Sequence, residues 1–155
     1  MSVKDRISGE LTLAMKAGDK VRLGVLRMLK ARLIEAEVSA RAKNGVDAPL
    51  GDTEALEAIA SYAKQRRDSI DSYRQAGRDD LAAQEEAELA VIKTYLPAQL
   101  SRDEVIALVK EAAAASGATG PKDMGAVMKV LMPKVKGVAD GKLVNEVVRE
   151  VLGGG

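Results

Sequence analysis

Apolar residues recur along most of this chain at spacings of three and four, the period of amphipathic helices, and the runs are cut by Gly, Pro and Asn-Gly punctuation. Ser2 can cap a first helix, with Asp5 favourable to its dipole. Val3, Ile7, Leu11, Ala14 and Met15 mark the inner face, and Gly18 is the stop. Asp19 caps a long second helix from about Lys20 to Lys43. Leu26, Leu29, Leu33, Ala36 and Ala40 form its main stripe, with Val21, Val25 and Met28 beside it. Asn44-Gly45 closes that helix, and residues 44–52, with Pro49 and Gly51, read as a loop and as the most flexible stretch. A third helix is predicted from Asp52 or Thr53 to about Ala76, with Leu56, Ile59, Ala60, Ala63, Ile70 and Tyr73 inward and Gly77 as its stop. A fourth runs from Asp79 or Asp80 to Leu96, where Pro97 forbids continuation by pushing the preceding residue out of the α region.

Beyond Pro97 the pattern changes character. Ser101-Arg-Asp-Glu104 is a capping box and Leu100 can staple onto Val105. That fifth helix presents Val105, Leu108, Val109, Ala112 and Ala113 and ends at Ser116-Gly117. Pro121 suits the first turn of the next, which carries Met124, Val127, Met128, Leu131 and Met132 up to a stop at Pro133. After a lysine-bearing, Gly-rich elbow, Asp140 can cap a last helix with Leu143, Val144, Val147, Val148, Val151 and Leu152 inward, and Gly153 to Gly155 should fray. The expected architecture is all-α: an N-terminal four-helix part over residues 1–96 and a compact three-helix part over 97–155.

Composition removes several functions. The 155 residues include no Cys and no His. Disulfides, thiolate metal sites and Ser-His or Cys-His nucleophile pairs are therefore excluded, and no catalytic residue or cofactor is assigned. No apolar run approaches the roughly 20 residues of a membrane span. The start, Met-Ser-Val-Lys-Asp-Arg, is not a secretory signal, so the expected location is the cytoplasm.

The net charge of +1 hides an asymmetry. Residues 1–43 carry ten Lys+Arg against five acids, and residues 44–96 carry six against eleven. These charges are expected to face each other or solvent, with an anionic partner on the first segment as the alternative. The cluster Asp79, Asp80, Glu85, Glu86 and Glu88 has no calcium-loop spacing and is not expected to hold a metal. On the elbow, Lys129, Lys134, Lys136 and Lys142 stand near Gly137 and Gly141, beside a helix start whose N–H groups favour anions. Phosphate is a natural guest there, and an ordinary solvated connection is the plain alternative. Arg22, Arg27 and Lys30 offer a second basic strip or a solvated face, and Lys64, Arg66 and Arg67 have Asp68 and Asp71 within reach as helix partners.

Glu85-Glu-Ala-Glu-Leu-Ala-Val-Ile-Lys-Thr-Tyr-Leu-Pro-Ala-Gln-Leu-Ser101, Asp123-Met-Gly-Ala-Val-Met-Lys129 and Met132-Pro-Lys-Val-Lys-Gly-Val-Ala-Asp-Gly141 resemble the YqeY-like family, with support from Arg22 to Ala31 and from Lys64 to Ser69. That family is similar to the helical tail of the GatB subunit of the tRNA-dependent amidotransferase. The resemblance implies contact with tRNA or with tRNA-charging and amidating proteins. Glutamine-dependent carbon–nitrogen ligase activity is implied only as part of a larger enzyme, since neither a glutaminase nucleophile segment nor a nucleotide cradle is present. Val138 stands where the family's elbow usually has a second lysine. A protein-interaction module using Met124, Met128, Leu143 or Val147 is the competing expectation.

Overall fold

The computed structural model describes residues 1–45 and 49–153. The central part of the expected 44–52 loop and the last two of the glycines expected to fray lie outside the described residues. Seven α-helices and no strand are found among the described residues: α1 Val3–Ala17, α2 Lys20–Asn44, α3 Asp52–Gln75, α4 Asp79–Lys93, α5 Arg102–Ser116, α6 Met124–Val135 and α7 Gly141–Val151. A single 3-10 turn, Pro121–Asp123, leads into α6. The all-α class is as the sequence implies.

Local chemistry sets the helix ends. Ser2 Oγ accepts from the Asp5 N–H at 3.1 Å while Asp5 Oδ2 accepts from the Ser2 N–H at 3.2 Å. Asp19 caps α2 through the Arg22 N–H at 3.1 Å, and Ser101 caps α5 through the Glu104 N–H at 3.2 Å. Gly18 and Gly117 end α1 and α5 with φ of 69° each, a left-handed conformation that side chains resist. Helix α4 stops at Lys93 rather than Leu96 because the chain tightens ahead of Pro97 into three-residue turns, Thr94 to Val91, Tyr95 to Ile92 and Leu96 to Lys93.

Two compact units result, Met1–Leu96 and Pro97–Gly155. In the first, α1 packs on α2, α3 on α4, and α2 against both α3 and α4. Ile7, Leu26, Leu29, Leu33, Ile59 and Ile92 are fully buried at its centre. Two tyrosines, Tyr62 and Tyr95, join that core. In the second, α5 packs on both α6 and α7 around Val105, Val109, Val127, Leu131, Val135, Val147 and Val148.

Two departures follow from packing. Pro133 lies inside α6 instead of ending it. A proline there lacks the N–H that would bond four residues back and crowds that carbonyl, a cost of about 3 kcal/mol in a helix interior. The last turn persists because Val135, beyond the proline, is 2% exposed in the core. On α2, Val21 and Met28 are exposed rather than inward, as is Met15 on α1.

Candidate anion-binding elbow

The elbow between α6 and α7 is built from tight backbone turns. Val138 and Ala139 N–H both donate to the Val135 carbonyl, at 3.1 and 3.0 Å. Between them and α6, Gly137 takes φ 78°, which a residue with a Cβ adopts only with strain. The segment before α5 then clamps the bend. The Leu100 N–H donates to the Val138 carbonyl at 2.7 Å, and Gln99 Nε2 donates to the Gly137 carbonyl at 3.2 Å.

Beside this bend an apolar cavity of about 290 Å³ opens between α6 and α7, with Met128, Met132, Val144 and the Gly141 backbone in its lining and Lys136 at its polar edge. A Cβ at Gly141 would meet nothing within 4 Å, so the backbone there is open to close approach. Lys142 follows directly in sequence, and Lys136 and Lys142 are both exposed. Lys129 is exposed on α6, and Lys136 lies just beyond the end of that helix. Lys134 turns toward α5 and donates to Glu111 Oε1 at 3.3 Å.

The sequence-predicted cations thus separate. Lys129, Lys136 and Lys142 are exposed, Lys136 and Lys142 next in sequence to Gly137 and Gly141, while Lys134 donates to Glu111. The start of α7 is less open than its sequence implies, because Asp140 Oδ1 accepts from the Lys142 N–H at 3.4 Å and places a carboxylate at the dipole's positive end.

Arg22, Arg27 and Lys30 belong to the other unit and do not act as one strip. Arg22 pairs with Glu10, whose Oε2 also accepts from the Tyr95 hydroxyl, while Arg6 holds Oε1 at 3.0 Å and stacks 4.6 Å from the Tyr95 ring. Burial raises the Glu10 carboxyl's pKa, but the hydrogen bonds from Tyr95, Arg6 and Arg22 outweigh it and hold the group below its ordinary value. Burial first, and then the Glu10 carboxylate, push the Tyr95 hydroxyl up to about 12. Arg27 and Lys30 are exposed.

Four acidic residues of α4 are tied to cations in the same unit. Arg66 bridges Glu85 and Glu88, donating also to the Tyr62 hydroxyl, while Glu86 meets Arg74 and Asp80 meets Arg78. Among the described residues no group of three carboxylates is placed to hold a metal ion. Among the described residues, no helix is long and apolar enough to cross a membrane.

Against known proteins, a family model described as YqeY-like protein matches residues 4–152. The chain belongs to the YqeY-like family. A relative in Pyrenophora tritici-repentis, named Altered inheritance of mitochondria protein 41, mitochondrial, is 31% identical over 97% of this YqeY-like chain and 81% of its own length. Proteins of the same name in Eremothecium gossypii and Saccharomyces cerevisiae are 33% and 29% identical over 57% and 58% of the chain. In both, the match spans 46% of the relative, so the chain covers under half of those proteins.

These names correct one expectation. The expected location is the cytoplasm, whereas the relatives are named mitochondrial. The physical reason is plain: a lack of cysteines does not separate one reducing compartment from another.

Proposed function

We propose that this YqeY-like chain works by binding, without chemistry of its own, and that the lysine elbow of its C-terminal unit grips an anionic polymer, tRNA in the reading suggested by the family's likeness to the amidotransferase tail. The observation that carries the proposal is the elbow itself: exposed Lys129, Lys136 and Lys142 around a bend whose carbonyls are pinned by Gln99 and Leu100. A held backbone presents its charges with little ordering left to do on binding. The cavity beside Lys136 offers apolar contact for a base or a side chain next to the phosphates.

Carbon–nitrogen ligase activity, in this reading, belongs to a larger enzyme for which the chain supplies grip. The mitochondrial names of the relatives replace the cytosol as the place to seek the partner. The competing interaction module on Met124, Met128, Leu143 and Val147 has less support, because Val147 is fully buried and the other three pack on the unit's own core.

Titration of the chain with tRNA at low and high salt tests the proposal. Affinity should fall as salt rises, and replacing Lys129, Lys134, Lys136 and Lys142 by Ala should lower the log–log salt slope by roughly 3 to 3.5, at about 0.7 to 0.9 per phosphate contact. Absence of binding at low salt, or a four-lysine variant that binds like wild type, would overturn it.

A further inference from the structure

Helix α2 carries two apolar seams, and the chain covers only one. Val25, Leu26, Leu29 and Leu33 are buried. On the opposite side, Val21, Gly24, Met28, Ala31, Glu35 and Val38 follow at alternating steps of three and four, the a/d repeat of a coiled coil. This outer seam is open: Val21 is 50% exposed, Met28 41% and Val38 61%, with Ile34 at its flank 45% exposed.

Gly24 is the telling residue. Glycine inside a helix is destabilising relative to alanine, and a Cβ at Gly24 would meet nothing within 4 Å in this chain. Its backbone φ is not positive, so no turn requires it. Close approach of a neighbouring helix would give it a use.

We propose that α2 pairs antiparallel with α2 of a second copy of this chain. A two-fold axis near Leu29 and Lys30 sets Val21 on the partner's Val38, Met28 on the partner's Ala31 and Gly24 beside the partner's Glu35. The smallest position thereby receives one of the longest side chains, and each layer repeats itself through the symmetry.

Charge selects the occupant and the direction. Arg27 is exposed and makes no ion pair among the described residues, while Glu35 is 68% exposed and held only by Arg32 at 3.4 Å. The antiparallel arrangement brings Arg27 within a turn of the partner's Glu35 on both sides of the axis. A parallel pairing would set Arg27 near Arg27 and Glu35 near Glu35. At the seam's outer ends Lys20 approaches the partner's Arg41, whose guanidinium is already drawn to Glu37 at 3.2 Å within its own helix.

Sedimentation velocity of the full chain from low to high micromolar concentration tests the proposal. Wild type should pass from monomer to dimer. Gly24→Leu and Val38→Glu should each weaken association by at least about 100-fold while leaving the far-ultraviolet helix signal unchanged. Arg27→Glu and Glu35→Arg should each weaken it alone, and the double variant should recover it to within about threefold of wild type. Should a seam variant unfold, the charge swap decides, since the double variant keeps the same two side chains in exchanged places. A wild-type chain monomeric throughout, a dimer indifferent to Gly24→Leu and Val38→Glu, or a double variant no better than the singles would each overturn the proposal.

Discussion

The two units solve the same problem, a helical core, with different materials. In Met1–Leu96 the core includes Tyr62 and Tyr95, and each hydroxyl meets a charged group, Arg66 and Glu10 respectively. Those groups reach onward to Glu85 and Glu88 on α4 and to Arg6 and Arg22 on α1 and α2, so partly buried ion pairs bind helix to helix. In Pro97–Gly155 the buried residues are all Val, Leu and Ala, and the ion pairs lie outside, as between Arg102 and Glu146 or Glu150. The first unit adds directional bonds, with exacting geometry and a dependence on pH. The second relies on shape and on the turn chemistry of its elbow.

The sharpest break of this contrast is in the aliphatic core. Leu131→Ala removes a fully buried side chain from α6 and should cost about 3 kcal/mol with no change in the pH dependence of unfolding. Denaturant titration at several pH values measures both, and a pH-dependent loss would show the second unit to be less purely apolar than described.

Tyr95→Phe should cost about 2 kcal/mol near neutral pH, because a hydroxyl bonded to a carboxylate is lost and Glu10 keeps one partner fewer. The pH dependence has two sides. Glu10's folded pKa lies below its ordinary 4.5, so its contribution is complete above that value and drains as pH falls. Tyr95's folded pKa lies above its ordinary 10.0, so its contribution is complete below about 10 and drains as pH rises toward about 12. Thermal melts across that alkaline window should show a loss in wild type that is smaller in Tyr95→Phe. Equal losses would remove Tyr95 from the account.

The smallest effect belongs to the elbow. Gly137→Ala should cost about 1 kcal/mol through the left-handed backbone alone, since nothing lies within 4 Å of the new Cβ. A fluorescence-free measure such as circular dichroism melting suffices, and an unchanged melting temperature would mean that the bend relaxes.

Helix positions were largely legible because their signals are local. Ser2, Asp19 and Ser101 cap as their side chains imply, and α3 at Asp52–Gln75 lies within a residue or so of its expected span. What periodicity cannot decide is which of two seams on one helix meets the core. Val21, Val25 and Met28 share the positions beside the main stripe in the periodic pattern, yet only Val25 is buried. Pro133 read as a stop because the cost of proline is local, whereas the burial of Val135 that offsets it is tertiary. The second basic strip dissolved for a similar reason: Glu10 and Tyr95, 85 residues apart, meet only in the folded chain and bring Arg22 with them. Tyr62 could have been found, since it falls three residues after the buried Ile59.

The clamp on the elbow has a consequence for any ligand that rests there. Pro133 leaves the end of α6 short of one internal bond, so the helix by itself would hold the bend loosely. Gln99 and Leu100, which belong to the approach to α5, supply the missing restraint from outside. In the proposed reading, the free energy with which the lysines would meet a guest is therefore tuned at a distance in sequence: loosening the 97–100 segment would raise the entropic toll of capture without touching a single cation.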